Sequence, residues 1–86
     1  MPEISRFFGI VIRMYFNDHL PPHFHARYGG EEAFIAIGSL DVLHGDIPSR
    51  AHELVCEWAM THHDELMENW ARARDRKPLR RIEPLR

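Results

Sequence analysis

The chain is poor in the features that mark several common protein classes. It has one cysteine, Cys56, so it cannot form an internal disulfide, and a free thiol is typical of a reducing compartment. No apolar run approaches the roughly 18–20 residues that a membrane helix needs. The first six residues are too polar to resemble a secretory signal. We therefore expect a cytoplasmic protein that does not enter a membrane.

Charge is divided unevenly along the 86 residues, a length that fits one domain. The formal net charge is −2, but residues 1–71 hold four arginines against eleven carboxylates, a net charge of −7. Residues 72–86 hold six arginines and Lys77 against two carboxylates, a net charge of +5. We expect a single domain over residues 1–73 and a basic extended tail over residues 74–86.

Four segments in the first half of the chain have the composition of β-strands. Residues 6–16 alternate so that one face is fully apolar, which predicts a strand with that face on the core. Residues 23–28 and 31–37 flank a Gly-Gly pair, which predicts a hairpin turn. Residues 40–43 favour a short fourth strand.

A long amphipathic helix is predicted after the strands, because Pro48 fits a first helical turn and apolar side chains then recur at helical spacing. The recurring side chains are Leu54, Val55, Trp58, Ala59, His62, Leu66, Met67, Trp70 and Ala71. The pattern ends near residue 73 and is weakest at residues 60–61. The fold class is therefore α+β: an antiparallel sheet of three or four strands packed against one long C-terminal helix.

Histidines are concentrated just ahead of the second predicted strand and within it. His23 and His25 are spaced i, i+2, which on an extended strand puts both rings on one face, and Arg27 continues that face. The other face carries Phe24, Ala26 and Tyr28. Such a strand is either a half-buried structural element or the floor of a site.

The histidines are candidate metal ligands. Imidazole nitrogens bind zinc at about 2.0–2.1 Å, and a His-x-His pair on a strand can converge on one ion. His19 or Asp18 is the candidate third ligand beside His23 and His25, brought back by the turn at Pro21-Pro22. A solvated structural strand with no cofactor is the default alternative, with zinc as the cofactor to test.

The same strand also offers groups for phosphate or RNA chemistry. Histidine can act as a general acid or base, arginine can hold a phosphate, and tyrosine can stack on a base. The candidate catalytic residues are His23, His25, Arg27, Tyr15 and Arg13. The chain has no Ser-His-Asp order, Gly-rich phosphate loop or Cys-x-x-Cys pair. The enzyme alternative is therefore a small His-dependent RNase or metal hydrolase.

Several segments spread over the chain resemble one protein family. They are Arg6-Phe7-Phe8-Gly9-Ile10-Val11-Ile12, Asn17-Asp18-His19, Pro22-His23-Phe24-His25-Ala26, Glu57-Trp58-Ala59 and Glu68-Asn69-Trp70. Together they are similar to the small bacterial domain-of-unknown-function family numbered 4160. The resemblance implies a component of a two-protein, toxin–antitoxin-like module that acts through protein–protein binding. It supplies no catalytic residues.

The predicted architecture also leaves apolar surface to cover. One helix covers one sheet face, and we expect Leu54, Trp58 and Leu66 to pack on the even-numbered face of the first strand. The third predicted strand is apolar on both faces, and large exposed apolar patches usually mark interfaces. We therefore expect a homo-oligomer or a complex with a small operon-encoded protein, with RNA as a further possible partner and no membrane contact.

Overall fold

The computed structural model describes residues 3–86, which form a five-stranded antiparallel sheet followed by two helices. Neighbouring strands in the sheet are consecutive in the chain. The strands are β1 (Glu3–Phe7), β2 (Ile10–Arg13), β3 (His23–Tyr28), β4 (Glu31–Ala36) and β5 (Val42–Gly45). The helices are α1 (Ser49–Thr61) and α2 (His63–Arg74). The α+β class is confirmed, but the prediction of three or four strands and one long helix is wrong in both counts.

The first predicted strand, residues 6–16, is a hairpin of two strands. Phe8 and Gly9 turn the chain with φ angles of 49° and 78°, and Phe7 then pairs with Ile10 across the turn. Glycine adopts this left-handed backbone at no steric cost. The turn does not interrupt the apolar pattern, because it contains two residues. The buried residues of β2, Ile10 and Ile12, therefore still have the even numbers expected of one continuous strand.

The β3–β4 hairpin lies where the sequence predicts it. Tyr28 pairs with Glu31 across the Gly29-Gly30 turn, and Gly29 has a φ angle of 62°. β5 begins two residues later than the fourth predicted strand and occupies one edge of the sheet.

The helical region is broken at His62, whose φ and ψ angles of −113° and 27° are not helical. The break follows the weak point predicted at residues 60–61. The His62 ring packs 5.7 Å from the ring of Trp58, and its Nδ1 lies 2.5 Å from Glu65 Oε1 in the first turn of α2. The His62 ring thus contacts one residue of each helix, and it remains mostly buried at the break.

The core lies between the sheet and the helices. Its largest fully buried side chain is Trp58, which contacts the rings of Phe7 and Phe24 at centroid distances of 5.3 and 6.0 Å. Leu66 is also fully buried, whereas Leu54 is only partly buried at the edge of the core. Helix α1 therefore covers the face of β3 that carries Phe24, and the histidines of β3 lie on the opposite face.

The segment after Arg74 is extended and packs against the rest of the chain. Ile82 is buried, and its backbone N–H donates to the carbonyl of Ile4 at 2.8 Å. The side chain of Asn69 bonds both the N–H and the C=O of Arg80, at 2.9 and 2.8 Å. The domain boundary at residue 73 stays a prediction, but this tail contributes to the core.

Neither helix within residues 3–86 combines the length and apolar character needed to cross a membrane.

Truncating Trp58 to alanine should lower the free energy of unfolding by about 3–5 kcal/mol, because it leaves a cavity among buried rings. It also removes the hydrogen bond from Trp58 Nε1 to the carbonyl of Glu83, 2.8 Å away. Urea unfolding followed by circular dichroism measures the change. Met60→Ala on the same helix is the control, since Met60 is 73% exposed and should change stability by less than about 0.5 kcal/mol. Equal effects at the two positions would contradict this placement of α1.

Candidate metal centre

The histidine face of β3 is buried beneath aromatic side chains. His23 and His25 are only 5% and 7% exposed. The ring of His25 lies 4.1 Å from the ring of Phe34 on β4 and 4.4 Å from that of Tyr15. The ring of His23 lies 5.4 Å from that of Trp70 on α2. Both imidazoles are therefore held in fixed positions by aromatic neighbours.

A single carboxylate oxygen faces both rings. Asp18, in the loop between β2 and β3, places its Oδ2 atom 3.0 Å from His25 Nε2 and 3.1 Å from His23 Nε2. Its other oxygen, Oδ1, accepts a hydrogen bond from the backbone N–H of His19 at 2.9 Å. This hydrogen bond fixes the carboxylate in the orientation that points Oδ2 between the imidazoles.

The proton positions on His23 follow from its neighbours. Its Nδ1 lies 2.8 Å from the carbonyl oxygen of Pro21, and a carbonyl only accepts, so Nδ1 carries the proton. In the neutral ring, Nε2 then presents a lone pair toward Asp18 Oδ2. His23 Nε2 is buried and makes no hydrogen bond within the described residues. A lone pair facing a carboxylate is unfavourable, and either a proton on Nε2 or a metal ion between the two atoms removes the conflict.

His25 has the same problem at its other nitrogen. Its Nε2 donates to Asp18 Oδ2, so Nδ1 of the neutral ring is unprotonated. That Nδ1 atom is buried without a hydrogen bond among residues 3–86, and it lies 3.6 Å from Glu32 Oε2 on β4. Each ring therefore directs one lone pair at a carboxylate.

Placing a metal ion in the cluster resolves both conflicts. The ligand atoms of Asp18, His23 and His25 all lie within 4.8 Å of one another. In a tetrahedral zinc site with bonds of about 2.0–2.1 Å, ligand atoms are about 3.3 Å apart, close to the two Asp18 distances. Both Nε2 atoms would then bind the ion, and Nδ1–H of His25 would point at Glu32, as in carboxylate–histidine–zinc arrangements.

The protonation of Asp18 is set by two opposing effects. Burial raises the pKa of this carboxyl group, but the hydrogen bonds from His25 Nε2 and from the backbone N–H of His19 lower it by more. The net result is that the pKa of Asp18 lies below its ordinary value. The carboxylate is therefore ionised at neutral pH, as a metal ligand must be.

Residues 9–71 match the family described as "Domain of unknown function (DUF4160)". The chain belongs to this family. The region shared with the family includes the three clustered residues Asp18, His23 and His25, while the tail after α2 lies outside it. No curated protein and no solved structure is similar enough to the chain to count as a match.

The structure places the other candidate residues at different distances from the cluster, with Tyr15 beside His25. His19 is exposed and lies outside the cluster, so Asp18 takes the third position. Arg13 is opposite His25 in the β2–β3 register, whereas exposed Arg27 donates to the carbonyl of Gly29 at the hairpin turn. The catalytic roles considered for both arginines and for Tyr15 stay predictions.

Two partners of the histidines were not foreseen from the sequence. Glu32 and Phe34 reach His25 because β3 and β4 pair with His25 opposite Phe34. The Gly29-Gly30 hairpin fixes that register, so counting outward from the turn identifies both neighbours. No sequence pattern predicts the contact between Trp70 and His23, because the position of Trp70 depends on the break between α1 and α2.

Replacing Asp18 with asparagine should change how stability depends on pH. A carboxyl group whose pKa is lowered by folding stabilises the native state above its unfolded pKa, and this contribution is lost as the pH falls through the lower, folded value. The difference in unfolding free energy between the wild type and Asp18→Asn should therefore shrink as the pH falls below 3.8, the ordinary pKa of an aspartate side chain. Urea unfolding in EDTA at pH 6 and at pH 3 tests this. Asp64→Asn, at a fully exposed position, is the control. If the wild type and Asp18→Asn differ in stability by the same amount at both pH values, Asp18 does not have a lowered pKa in the folded protein.

Proposed function

We propose that this protein binds a divalent transition-metal ion through Asp18, His23 and His25, and that the bound ion forms the reactive centre of a small hydrolase. The proposal depends on one observation above all. His23 Nε2 is buried, makes no hydrogen bond and faces a carboxylate oxygen 3.1 Å away, while Pro21 holds the proton on the opposite nitrogen. This is the tautomer and orientation of a histidine that binds a metal through Nε2.

Protonation of both histidines is the competing explanation, and burial weighs against it. Two imidazolium ions would then lie within one aromatic cluster, their rings 5.3 Å apart, with side chains that are 6% and 8% exposed. Burying charged groups is costly, and two like charges at that separation repel each other. A single metal ion provides the same positive charge and satisfies three ligand atoms at once.

Two histidines and one carboxylate favour zinc and suit catalysis. Structural zinc sites usually have four protein ligands, whereas catalytic sites keep a fourth position for water or substrate. Only three candidate ligands converge among the described residues. A metal ion with a water molecule in the open position lowers the pKa of that water to about 7, which supplies a nucleophile at neutral pH. The same ligand set also occurs in non-haem iron enzymes, so ferrous iron is the second metal to test.

Zinc should bind with a stoichiometry of one per chain when the protein is purified without an affinity tag. At a free zinc concentration 100 times the Kd, binding should stabilise the fold by about 2.7 kcal/mol, which raises the Tm by about 10–20 °C. Equilibrium dialysis and thermal melts measure both effects. Asp18→Ala and His23→Ala should abolish them, whereas His63→Ala, on the half-exposed start of α2, should leave them unchanged.

Melts in EDTA control for the folding of these variants. The proposal is wrong if the wild type binds no zinc or ferrous iron, or if folded Asp18→Ala and His23→Ala bind as much metal as the wild type.

A second candidate function is the binding role implied by the family resemblance, in which the protein is one component of a toxin–antitoxin-like module. An open groove of about 430 Å³ beside the histidine strand favours it. The groove is lined by Pro21, Pro22, Ala36, Gly38, Ser39, Leu43, His63 and Met67. Leu43 and Met67 are 45% and 37% exposed, and exposed apolar surface that is continuous in this way is typical of protein interfaces.

The working form should therefore be a complex, either with a small operon-encoded partner or with a second copy of the chain. Light scattering at micromolar concentration, alone and with the product of the adjacent gene, should report a mass above that of one chain. Met67→Glu should weaken the complex, since it buries a charge, whereas Met60→Glu, 73% exposed on α1, should not. A monomer that ignores the neighbouring gene product would contradict the binding role.

A further inference from the structure

An open pocket of about 200 Å³ adjoins the metal-ligand cluster. It is lined by Asp18, His19, Leu20, Pro21, His23, Phe34 and Leu43. Two of the three candidate ligands thus form part of its wall, so an ion bound to them would face a ligand held in the pocket. The other walls are mostly apolar, and Leu20 and Leu43, which are 65% and 45% exposed, form its rim.

The charge of the lining decides between two classes of ligand. Phosphate groups and RNA backbones are commonly held by arginine or lysine side chains. None of the described residues that line this pocket is an arginine or a lysine. Arg13, opposite His25 in the β2–β3 register, does not line the pocket, and exposed Arg27 donates to the carbonyl of Gly29 at the hairpin turn. The pocket therefore suits a ligand that carries little charge beyond the group that meets the metal.

The size of the pocket sets the size of that ligand. An apolar cavity of about 150 Å³ lined by Leu, Ile and Phe holds one benzene molecule. The space between Leu20, Phe34 and Leu43 is comparable, and the Phe34 ring offers an aromatic surface. A single aromatic ring or a branched aliphatic group therefore matches this volume.

We propose that this pocket binds a small acyl compound, with its carbonyl-type oxygen on the metal and a compact apolar group between Leu20, Phe34 and Leu43. This inference rests on the proposed function, because the oxygen needs a metal ion held by Asp18 and His23. It adds the class of ligand: esters, amides or hydroxamates of compact apolar acids. Phosphate esters are excluded from this class.

Two hydroxamates of different size are the probes, since both bind zinc through the same oxygens. Isothermal titration of the zinc-loaded 86-residue chain should show benzohydroxamate binding about tenfold more tightly than acetohydroxamate, because only the former has a ring to bury. Leu43→Asn should reduce this ratio to near one while leaving the zinc stoichiometry and the acetohydroxamate affinity unchanged. Val42→Asn is the matched control, because Val42 is the preceding residue on the same edge strand and does not line the pocket.

The outcomes separate this inference from the proposed function. Absence of zinc binding in the same titrations would contradict both. Zinc binding with equal affinities for the two hydroxamates would contradict the apolar pocket alone. Phenylphosphonate is the third probe. If it binds more tightly than benzohydroxamate and Arg13→Ala abolishes the difference, the ligand class is a phosphate and the inference is overturned.

Discussion

The carboxylate of Asp18, shared between two buried imidazoles, is the interaction on which the rest of the site depends. It determines which nitrogen of each ring faces the centre, and the carbonyl of Pro21 and the carboxylate of Glu32 face the outer nitrogens. Burying two histidines and an aspartate costs free energy unless their polar atoms are satisfied. Two of those atoms, one on each ring, make no hydrogen bond in the described residues. A fold of this size can tolerate few such costs, so the arrangement points to a bound cation.

Much of the fold follows from local patterns, and the errors share one cause. The β3–β4 hairpin was predicted because Gly29-Gly30 permits a tight turn, and the buried side of α1 because Trp58 recurs at helical spacing. The β1–β2 turn was missed because a phenylalanine and one glycine interrupt neither the apolar composition nor the alternation. The helical pattern is weakest at residues 60–61, within two residues of the break at His62, but it does not predict two separate helices. In both cases the deciding factor is a local change of backbone conformation, namely the positive φ angles of Phe8 and Gly9 and the non-helical angles of His62, which the period of the apolar residues does not encode.

The candidate site was predictable to the level of the strand but not of the ligand set. Alternation alone placed His23 and His25 on one face. The choice between His19 and Asp18 depends on the path of the loop after β2, for which the sequence offers no register. The sheet face covered by the helices was also undetermined, because β3 buries side chains on both sides. Phe24 faces Trp58 of α1, and Phe34 of β4 and Trp70 of α2 cover the histidines from the other side.

Anomalous diffraction at the zinc absorption edge, from crystals grown with zinc, tests the central claim most directly. We expect one strong peak within about 2.0–2.2 Å of His23 Nε2, His25 Nε2 and an oxygen of Asp18. The fourth coordination position of the ion should be open toward the pocket at Phe34. We also expect the side chain of Glu32 to approach His25 Nδ1 to hydrogen-bonding distance. No peak between these three side chains, or a peak only at an exposed histidine such as His19, would contradict metal binding by Asp18, His23 and His25.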